Sequence, residues 1–327
     1  MELHLDSQVR WNDLASSNLG FMNRLHAAIG RLARLEPNIL PQPFTGESLY
    51  VASDYGATHG QGSYDWIGLL ITDMRGSETW RTRRAQIRNS SLRDGRRMSY
   101  KSLGDSTKSR ALTRFLRSAD HIPGMLVLIY FDRGLDDLFL GKGEPALTDS
   151  ALKLLASWKP RQREKLLRIL HFLAFFVAAL SRPGQHVVWL TDEDEIIPNE
   201  FRLQSLLDLA MEISGHYVVH NLGYLRFATA AVDDDSRFIE DLLSIPDLAG
   251  GGLAATLDEM KRTRQLPRGD LMVPLPHGLR AKALFLAHWF ADYSCSLKRM
   301  AWRIDASEPT GAFDLAEIRF GPLVSAI

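Results

Sequence analysis

The stretch Ser48 to Gly56, SLYVASDYG, decides the fold, because it has the pattern of a buried strand that carries one aspartate, Asp54, to its far end. Leu49 to Ala52 are apolar or favour strands, and the run stops at Tyr55-Gly56. We therefore predict that the Asp54 carboxylate lies where the strand becomes a turn. A lone aspartate at such a position is usually a turn cap, so its meaning depends on the segments that follow.

Later hydrophobic segments also end in, or lead to, acidic residues. A hairpin partner is predicted at 65–73 (DWIGLLITD), and further segments are MLVLIYFD, HVVWLTDED and the helical SIPDLAGGG. The aspartates of these last three segments are Asp132, Asp192, Asp194 and Asp247. Because ligand sites assemble where strands end, we expect one sheet to gather the carboxylates at a shared rim.

Composition indicates a globular chain without disulfide or cysteine-zinc chemistry. The 327 residues are 45% hydrophobic, carry a formal net charge of zero and include one cysteine, Cys295. Charge is nevertheless segregated, since residues 81–110 hold ten Arg or Lys against Asp94 and Asp105. The single cysteine suits the cytoplasm, which is the expected location.

No segment has the pattern of a targeting or membrane-spanning element. The N-terminus lacks the basic start and apolar run of a signal peptide. The most apolar stretch, Leu166 to Leu180, is interrupted by Arg168 and His171 and is short for a membrane span. It is predicted to be a core helix, and no membrane partner is expected.

The order of elements predicts a mixed α/β sheet with helices on its faces. An N-terminal helix is predicted at 14–36. The later elements are a strand at 96–101, a helix at 106–119, a strand ending at Asp132, a helix at 160–181, a strand ending at Asp192, a helix at 200–214, one or two strands in 217–231, a helix ending at Leu248, and helices at 255–264 and 279–300. The chain divides into an N-terminal helical segment (1–45), a central domain (46–255) and a C-terminal helical extension (256–327).

This order, with its acids, resembles the ribonuclease H-like superfamily and is similar in detail to the widespread uncharacterised domain family numbered 3800 among domains of unknown function. The matching stretches are YVASDYG, SYKSLGD, VLIYFDRG, VVWLTDEDE and, most specifically, DDDSRFIEDLLSIPDLAGGG. The resemblance covers about residues 46–255. It implies a ribonuclease H-like mixed five-stranded sheet flanked by helices.

The resemblance also implies functional residues. Asp54 matches the acid of the first strand, and Asp247 matches the acid of the last helix. Asp105 lies where the family usually has a glutamate before its first helix. The first-strand motif departs from the family, because it has Ser-Asp-Tyr-Gly where an Asp-Glu-Ser-Gly run is common.

Two choices stay open for the third acid of the site. Asp132 fits the plain ribonuclease H strand order, whereas Asp192 or Asp194 fits the closer family. The candidate metal ligands are Asp54, Asp105, Asp132, Asp192, Asp194 and Asp247, and all but Asp132 are candidate catalytic residues. Two Mg²⁺ or Mn²⁺ ions prefer such carboxylate oxygens and would support phosphodiester hydrolysis. The resulting hypothesis is a metal-dependent nuclease in which Asp54 bridges both ions.

The basic stretch after the second strand is the candidate nucleic-acid interface. Its cations are Arg81, Arg83, Arg84, Arg88, Arg93, Arg96, Arg97 and Lys101. Such residues suit a phosphate backbone, and Trp80 and Tyr100 would be available for base stacking. The plain alternative is an exposed, solvated loop.

Two other functions remain open. The first is a catalytically inactive ribonuclease H-like module that binds nucleic acid or a partner protein, and the C-terminal helices are the predicted site of a protein partner or homo-oligomer. The second is phosphotransfer, which the absence of a glycine-rich phosphate loop disfavours. The run Gly250-Gly251-Gly252 is predicted to allow close helix packing, and Cys295 is predicted to lie inside a helix.

Overall fold

The computed structural model of the chain describes residues 11–57, 62–93, 95–135, 137–140, 147–192, 200–234, 236–267, 269, 271–273, 275–276, 278–307 and 312–320. The chain folds into two compact units. The first comprises Met1–Leu49, Asp137–Val187 and Asp194–Leu225, and the second comprises Tyr50–Asp136, Val188–Glu193 and Arg226–Ile327. The helices are α1 (Phe21–Leu35), α2 (Glu78–Ser91), α3 (Ser106–Ala119), α4 (Asp149–Leu155), α5 (Pro160–Leu180), α6 (Glu200–Gly215), α7 (Phe238–Arg262) and α8 (Ala281–Phe290).

A mixed sheet forms the body of the second unit. The strands are β1 (Ser48–Ala57), β2 (Tyr64–Thr72), β3 (Gly124–Asp132), β4 (His186–Thr191), β5 (Leu225–Thr229), β6 (Leu271–Val273), β7 (Leu297–Ser307) and β8 (Ala312–Phe320). In the described part of the chain their order is β5-β4-β1-β2-β3-β7-β8-β6. The mixed α/β class predicted from the sequence is confirmed, with more strands than the five expected.

The strands β1, β2 and β3 form an antiparallel meander. Asp54 of β1 pairs with Gly68 of β2, and Gly68 pairs with Leu128 of β3. β3 then pairs in parallel with β7. Residues 124–131 of β3 are all buried, as the sequence predicted for an apolar run covered on both faces.

The expectation of a strand at 96–101 is wrong. These residues form an irregular segment that passes into a short 3₁₀ turn, Lys101–Gly104. The backbone N–H of Tyr100 donates to the Asp247 carboxylate at 3.2 Å rather than to a neighbouring strand. A side chain therefore holds this segment in place.

The expectation of a helical C-terminal extension is wrong for residues 297–307 and 312–320, which form β7 and β8. Arg299 obscured the strand pattern because it is charged and yet buried. Its guanidinium pairs with Asp120 and lies 4.0 Å over the Trp289 ring. Cys295, expected inside a helix, lies between α8 and β7. In the described part of the extension, α8 and the end of α7 are helical, and binding of a partner or a second copy through these helices stays a prediction.

Glycines let α7 pack closely on β2 and on the segment that carries Tyr100. The helix continues past Leu248, where its end was predicted, through three glycines. A Cβ added at Gly250 would lie 2.3 Å from the Trp66 ring, and one at Gly251 would lie 2.5 Å from the Tyr100 ring. Close packing explains these glycines as predicted, and the burial that it allows offsets their low helix propensity.

The first unit contains α1, α4, α5 and α6. α5 is the core helix predicted from its apolar sequence, and residues 171–180 are all buried. Its His171 stacks on Phe139 at 4.0 Å and shares a hydrogen bond of 2.8 Å with the Tyr217 hydroxyl. Among the helices that the structure describes, none has the length and apolar character needed to cross a membrane.

Candidate active site

Asp54 lies inside β1, which continues to Ala57, and not at a turn as predicted. Its partner across the antiparallel ladder is Gly68, and residues directly opposite each other project to the same face of a sheet. A Cβ built on Gly68 would lie 2.9 Å from Pro246. Asp54 therefore projects to the face that α7 covers, and the missing side chain at Gly68 leaves room there.

The residues on either side of Asp54 attach β1 to β4. The Trp189 indole N–H donates to the Ser53 hydroxyl at 2.8 Å, and the hydroxyls of Tyr55 and Thr191 share a hydrogen bond of 2.6 Å. Because Asp192 follows Thr191 at the end of β4, these contacts fix the strand that delivers Asp192 next to β1.

Asp247 reaches the same face of the sheet from α7. Pro246, the preceding residue, lies where a side chain at position 68 would be, and the Asp247 carboxylate accepts the backbone N–H of Tyr100. The close approach of Gly251 to the Tyr100 ring fixes this segment against the helix.

Arg97 supplies the positive charge of the site. Its guanidinium pairs with the Asp192 carboxylate, and the Arg97 side chain is 24% exposed. Burial by itself would lower the pKa of Arg97, but the carboxylates of Asp192, Asp54 and Asp247 outweigh burial and raise it. Among the described residues, the buried Nε–H of Arg97 has no acceptor.

Burial and nearby carboxylates disfavour the ionised forms of Asp54 and Asp247. Burial, together with the charges of Asp247 and Asp192, raises the pKa of Asp54 to about 8, against the opposing effect of Arg97. Burial also raises the pKa of Asp247, although Arg97 and the Tyr100 N–H favour its ionised form. We call Asp54, Asp192 and Asp247 the aspartate cluster, since the structure brings these three predicted residues together.

The aspartate cluster has the chemistry of a divalent-metal site but lacks the geometry of one. Carboxylate oxygens are the preferred ligands of Mg²⁺ and Mn²⁺, and a cation would offset both the burial and the carboxylate repulsion that raise the pKa of Asp54. In the described part of the chain, however, no group of three or more His, Cys, Asp or Glu side chains stands close enough to hold an ion. At present the Arg97 guanidinium provides the neutralising charge.

The other candidate metal ligands either make different contacts or lie outside the described residues. Asp105 caps α3 by accepting the N–H groups of Thr107 and Lys108, and it pairs with Arg96 at 2.6 Å. Asp132 ends β3, which β2 separates from β1. It pairs with Lys261 at 2.7 Å and is not one of the carboxylates whose charges affect Asp54. Asp194 lies outside the described residues.

Several side chains of the predicted nucleic-acid interface are buried inside the protein. Arg84 and Arg88 both donate to the buried carboxylate of Asp241, Arg84 at 2.7 Å through Nε and Arg88 at 3.0 Å through Nε. Trp80 is buried beside Phe238, with ring centroids 5.4 Å apart, so it is unavailable to bases. These residues connect α2 to α7, and the expectation that they contact nucleic acid is wrong.

Tyr100 is also committed to internal packing. Its ring lies against Gly251, and Lys282 lies 4.1 Å over the ring. Of the remaining predicted cations, Arg97 belongs to the site itself. Those at the surface are Arg81, Arg83, Arg93, Arg96 and Lys101.

Sequence reasoning missed a row of arginines on α3. Arg110, Arg114 and Arg117 are exposed and follow one another at intervals of four and three residues, so they lie on one face of the helix. In the described part of the chain none of the three pairs with a carboxylate. Their spacing was the signal that could have identified them. We call these three residues, with the surface cations of α2 and the segment to Lys101, the arginine face.

Comparison of the chain with known protein families, with curated proteins and with solved structures gives no match.

Proposed function

We propose that the chain is a divalent-cation-dependent nuclease of ribonuclease H-like fold, which hydrolyses phosphodiester bonds of nucleic acid at the aspartate cluster. The observation that carries the proposal is that three acids distant in sequence meet: Asp54 projects to the face that α7 covers, α7 carries Asp247, and Asp192 follows the neighbouring strand β4. A central first strand that delivers one acid, next to a strand and a helix that deliver two more, is the arrangement that the family resemblance implies.

Asp54, Asp192 and Asp247 would hold the ions. When bound, Mg²⁺ or Mn²⁺ would activate a water and stabilise charge on the phosphoryl oxygens. Asp54 is held in position by the hydrogen bonds of its neighbours in β1, and its proton must leave before it can act as a ligand. Asp105 is not one of the proposed ligands, because it caps the start of α3.

Cleavage assays test the proposal. We expect Asp54→Asn and Asp247→Asn each to lower Mg²⁺- or Mn²⁺-dependent cleavage of labelled DNA or RNA by at least about 100-fold. Asp132→Asn is the matched control, because it removes a carboxylate of the same sheet that pairs with Lys261 outside the cluster. Full activity of the Asp54→Asn protein would contradict the proposal.

The arginine face supports nucleic acid as the substrate. Its cations lie on α2, α3 and the segment between them, which approaches the aspartate cluster through Arg97. No large hydrophobic side chain of α2 or α3, both fully described, is exposed, and a membrane-binding helix would need such anchors. A surface of cations without apolar anchors suits a phosphate backbone.

The salt dependence of DNA affinity tests whether the arginine face binds nucleic acid. EDTA is present in these measurements to prevent cleavage. We expect the combined change of Arg110, Arg114 and Arg117 to Gln to reduce the slope of log affinity against log salt by about 2 to 3 for a DNA duplex. The matched control changes Arg31, Arg34 and Lys153, three exposed cations of the first unit, to Gln. An equal reduction of the salt slope in both triple variants would exclude the arginine face as the nucleic-acid interface. Binding to anionic vesicles but not to DNA would exclude it as well.

A catalytically inactive module is the second candidate. The observation that favours it is the Arg97–Asp192 ion pair, together with the lack of a group with metal-site geometry in the described residues. Such a module would bind nucleic acid through the arginine face, while the aspartate cluster and Arg97 would only stabilise the fold. Its signature would be salt-dependent binding with no thermal stabilisation by Mn²⁺ at any concentration.

A further inference from the structure

The arginine face holds its guanidinium groups with neutral acceptors. Arg114 donates to the hydroxyls of Ser90 and Ser91 at the end of α2, at 3.4 Å in each case. The Nε–H groups of Arg93 and Arg110 each donate to the backbone carbonyl four residues earlier, at 2.6 and 3.1 Å. In the part of the chain that the structure describes, none of these three arginines pairs with a carboxylate. Their side chains are therefore held in position while their charges stay available to an anion.

Arg114 connects the two helices of this surface. It lies between Arg110 and Arg117 on α3, and its hydrogen bonds reach the last residues of α2. Its bonds of 3.4 Å to neutral hydroxyls are longer than the bonds of about 2.7 to 2.9 Å that a guanidinium makes to an ionised oxygen. A phosphate oxygen would therefore replace these hydroxyls as the acceptor at Arg114.

No aromatic ring of α2, α3 or the segment between them is available to stack on a base. Residues 78–119 contain three aromatic side chains, Trp80, Tyr100 and Phe115. Trp80 and Phe115 are buried, and the Tyr100 ring lies against Gly251 and under Lys282. Proteins that bind single strands without sequence preference stack successive bases on aromatic side chains beside a cationic groove. The arginine face has the cations of such a groove without its rings.

A surface that binds by charge alone gains more from a duplex than from a single strand. A DNA duplex carries one negative charge per about 1.7 Å of its axis, twice the density of either strand. Each phosphate that is neutralised contributes about 0.9 to the salt slope for a duplex and about 0.7 for a single strand, because the duplex condenses more counterions. The release of these ions favours the duplex.

We infer that the arginine face takes double-stranded nucleic acid and discriminates against single strands, with Arg114 as a phosphate contact at its centre. The inference rests on the nucleic-acid part of the proposed function and names its substrate class. It is independent of the aspartate cluster, since α2, α3 and the segment between them supply every cation that it uses.

Fluorescence anisotropy of labelled nucleic acid, with the full chain in EDTA, tests the inference without measuring activity. The ligands are a mixed-sequence duplex of about 20 base pairs and each of its separated strands. We expect the unmodified protein to bind the duplex at least about 10-fold more tightly than either strand. We expect Arg114→Gln to lower the duplex affinity by about 3- to 10-fold and the salt slope by about 1. The matched control is Arg31→Gln, because Arg31 is an exposed cation of α1 in the first unit.

The outcomes separate this inference from the proposed function. Equal or tighter binding of the single strands would overturn the inference, while the proposed function, which needs only that nucleic acid binds, would stand. An unchanged duplex salt slope in Arg114→Gln, or the same reduction in Arg31→Gln, would exclude Arg114 as a phosphate contact. Binding of neither duplex nor strands would contradict the proposed function itself. The preference of the unmodified protein decides the substrate class even if Arg114→Gln does not fold.

Discussion

Asp54 makes the stability of the fold depend on pH in an unusual direction. Burial and the neighbouring carboxylates raise its pKa to about 8 in the folded protein. In the unfolded chain it loses its proton near its ordinary pKa of 3.8. The protonated group therefore contributes stability that is fully present below about pH 4, and this contribution is lost as pH rises toward 8.

We therefore expect Asp54→Asn to be more stable than the unmodified protein at pH 9, and similar to it at pH 4. One pKa unit corresponds to about 1.4 kcal/mol, and because neighbouring charges share the titration we expect a gain of about 2 kcal/mol at pH 9. Urea unfolding at pH 4, 6 and 9 measures the difference.

Asp105→Ala provides the contrast for that measurement. The N–H groups of Lys108 and Thr107, together with Arg96, lower the pKa of Asp105. Its contribution is present at neutral pH and is lost as pH falls, so Asp105→Ala should destabilise the protein at pH 9 and much less at low pH. If Asp54→Asn and Asp105→Ala change stability in the same direction at pH 9, the environment assigned to Asp54 is wrong.

The sequence identified the acids of the site but not the relations among them. Asp54, Asp192 and Asp247 each follow or interrupt an apolar run, and this pattern made them candidates. Asp132 has the same local pattern, but it lies across β2 from β1, and only strand order reveals this. Arg97 looked like one surface cation of many, because its partner Asp192 is far along the chain.

At the scale of elements, the glycines of α7 determine how closely Asp247 approaches the sheet. We expect Gly251→Ala to destabilise the protein by about 1 to 3 kcal/mol, because the added methyl group would overlap the Tyr100 ring. The same change should weaken Mn²⁺ binding, since Tyr100 and Asp247 share a hydrogen bond. Thermal melts with and without Mn²⁺ measure both effects.

Gly104→Ala is the control for Gly251→Ala, because it adds the same methyl group in the 3₁₀ turn Lys101–Gly104, outside α7. A Cβ at Gly104 meets no atom within 4 Å, so this variant should be neutral or slightly stabilised. Gly251→Ala with unchanged stability would show that α7 packs less closely on Tyr100 than described.

Helices and strands whose own residues show apolar spacing were predicted from the sequence. Those that are stabilised by residues far along the chain were not. α3, α5 and α6 have apolar spacing of their own, and the meander strands have continuous apolar runs. β7 was missed because Arg299 interrupts its pattern, and the charge of Arg299 is compensated by Asp120, which precedes β3. The end of α7 was placed too early because its glycines are stabilised only by contacts with other elements.

At the scale of the whole molecule, β7 connects the meander to β8 and β6. It covers the edge of β3, an apolar strand that is buried almost throughout. We expect a chain that ends at Cys295 to associate through this edge and to lose cooperative unfolding, because an exposed apolar edge strand pairs with other chains. Size-exclusion chromatography and thermal melts of the truncated chain measure this, and a monomer that unfolds cooperatively would contradict it.

The parallel pairing of β3 with β7 also has a consequence for synthesis. Gly124 of β3 emerges from the ribosome long before Leu297, its partner in β7. During that interval the meander has an open apolar edge, so the nascent chain is a natural client for chaperones, and the sheet can close only when translation is almost finished.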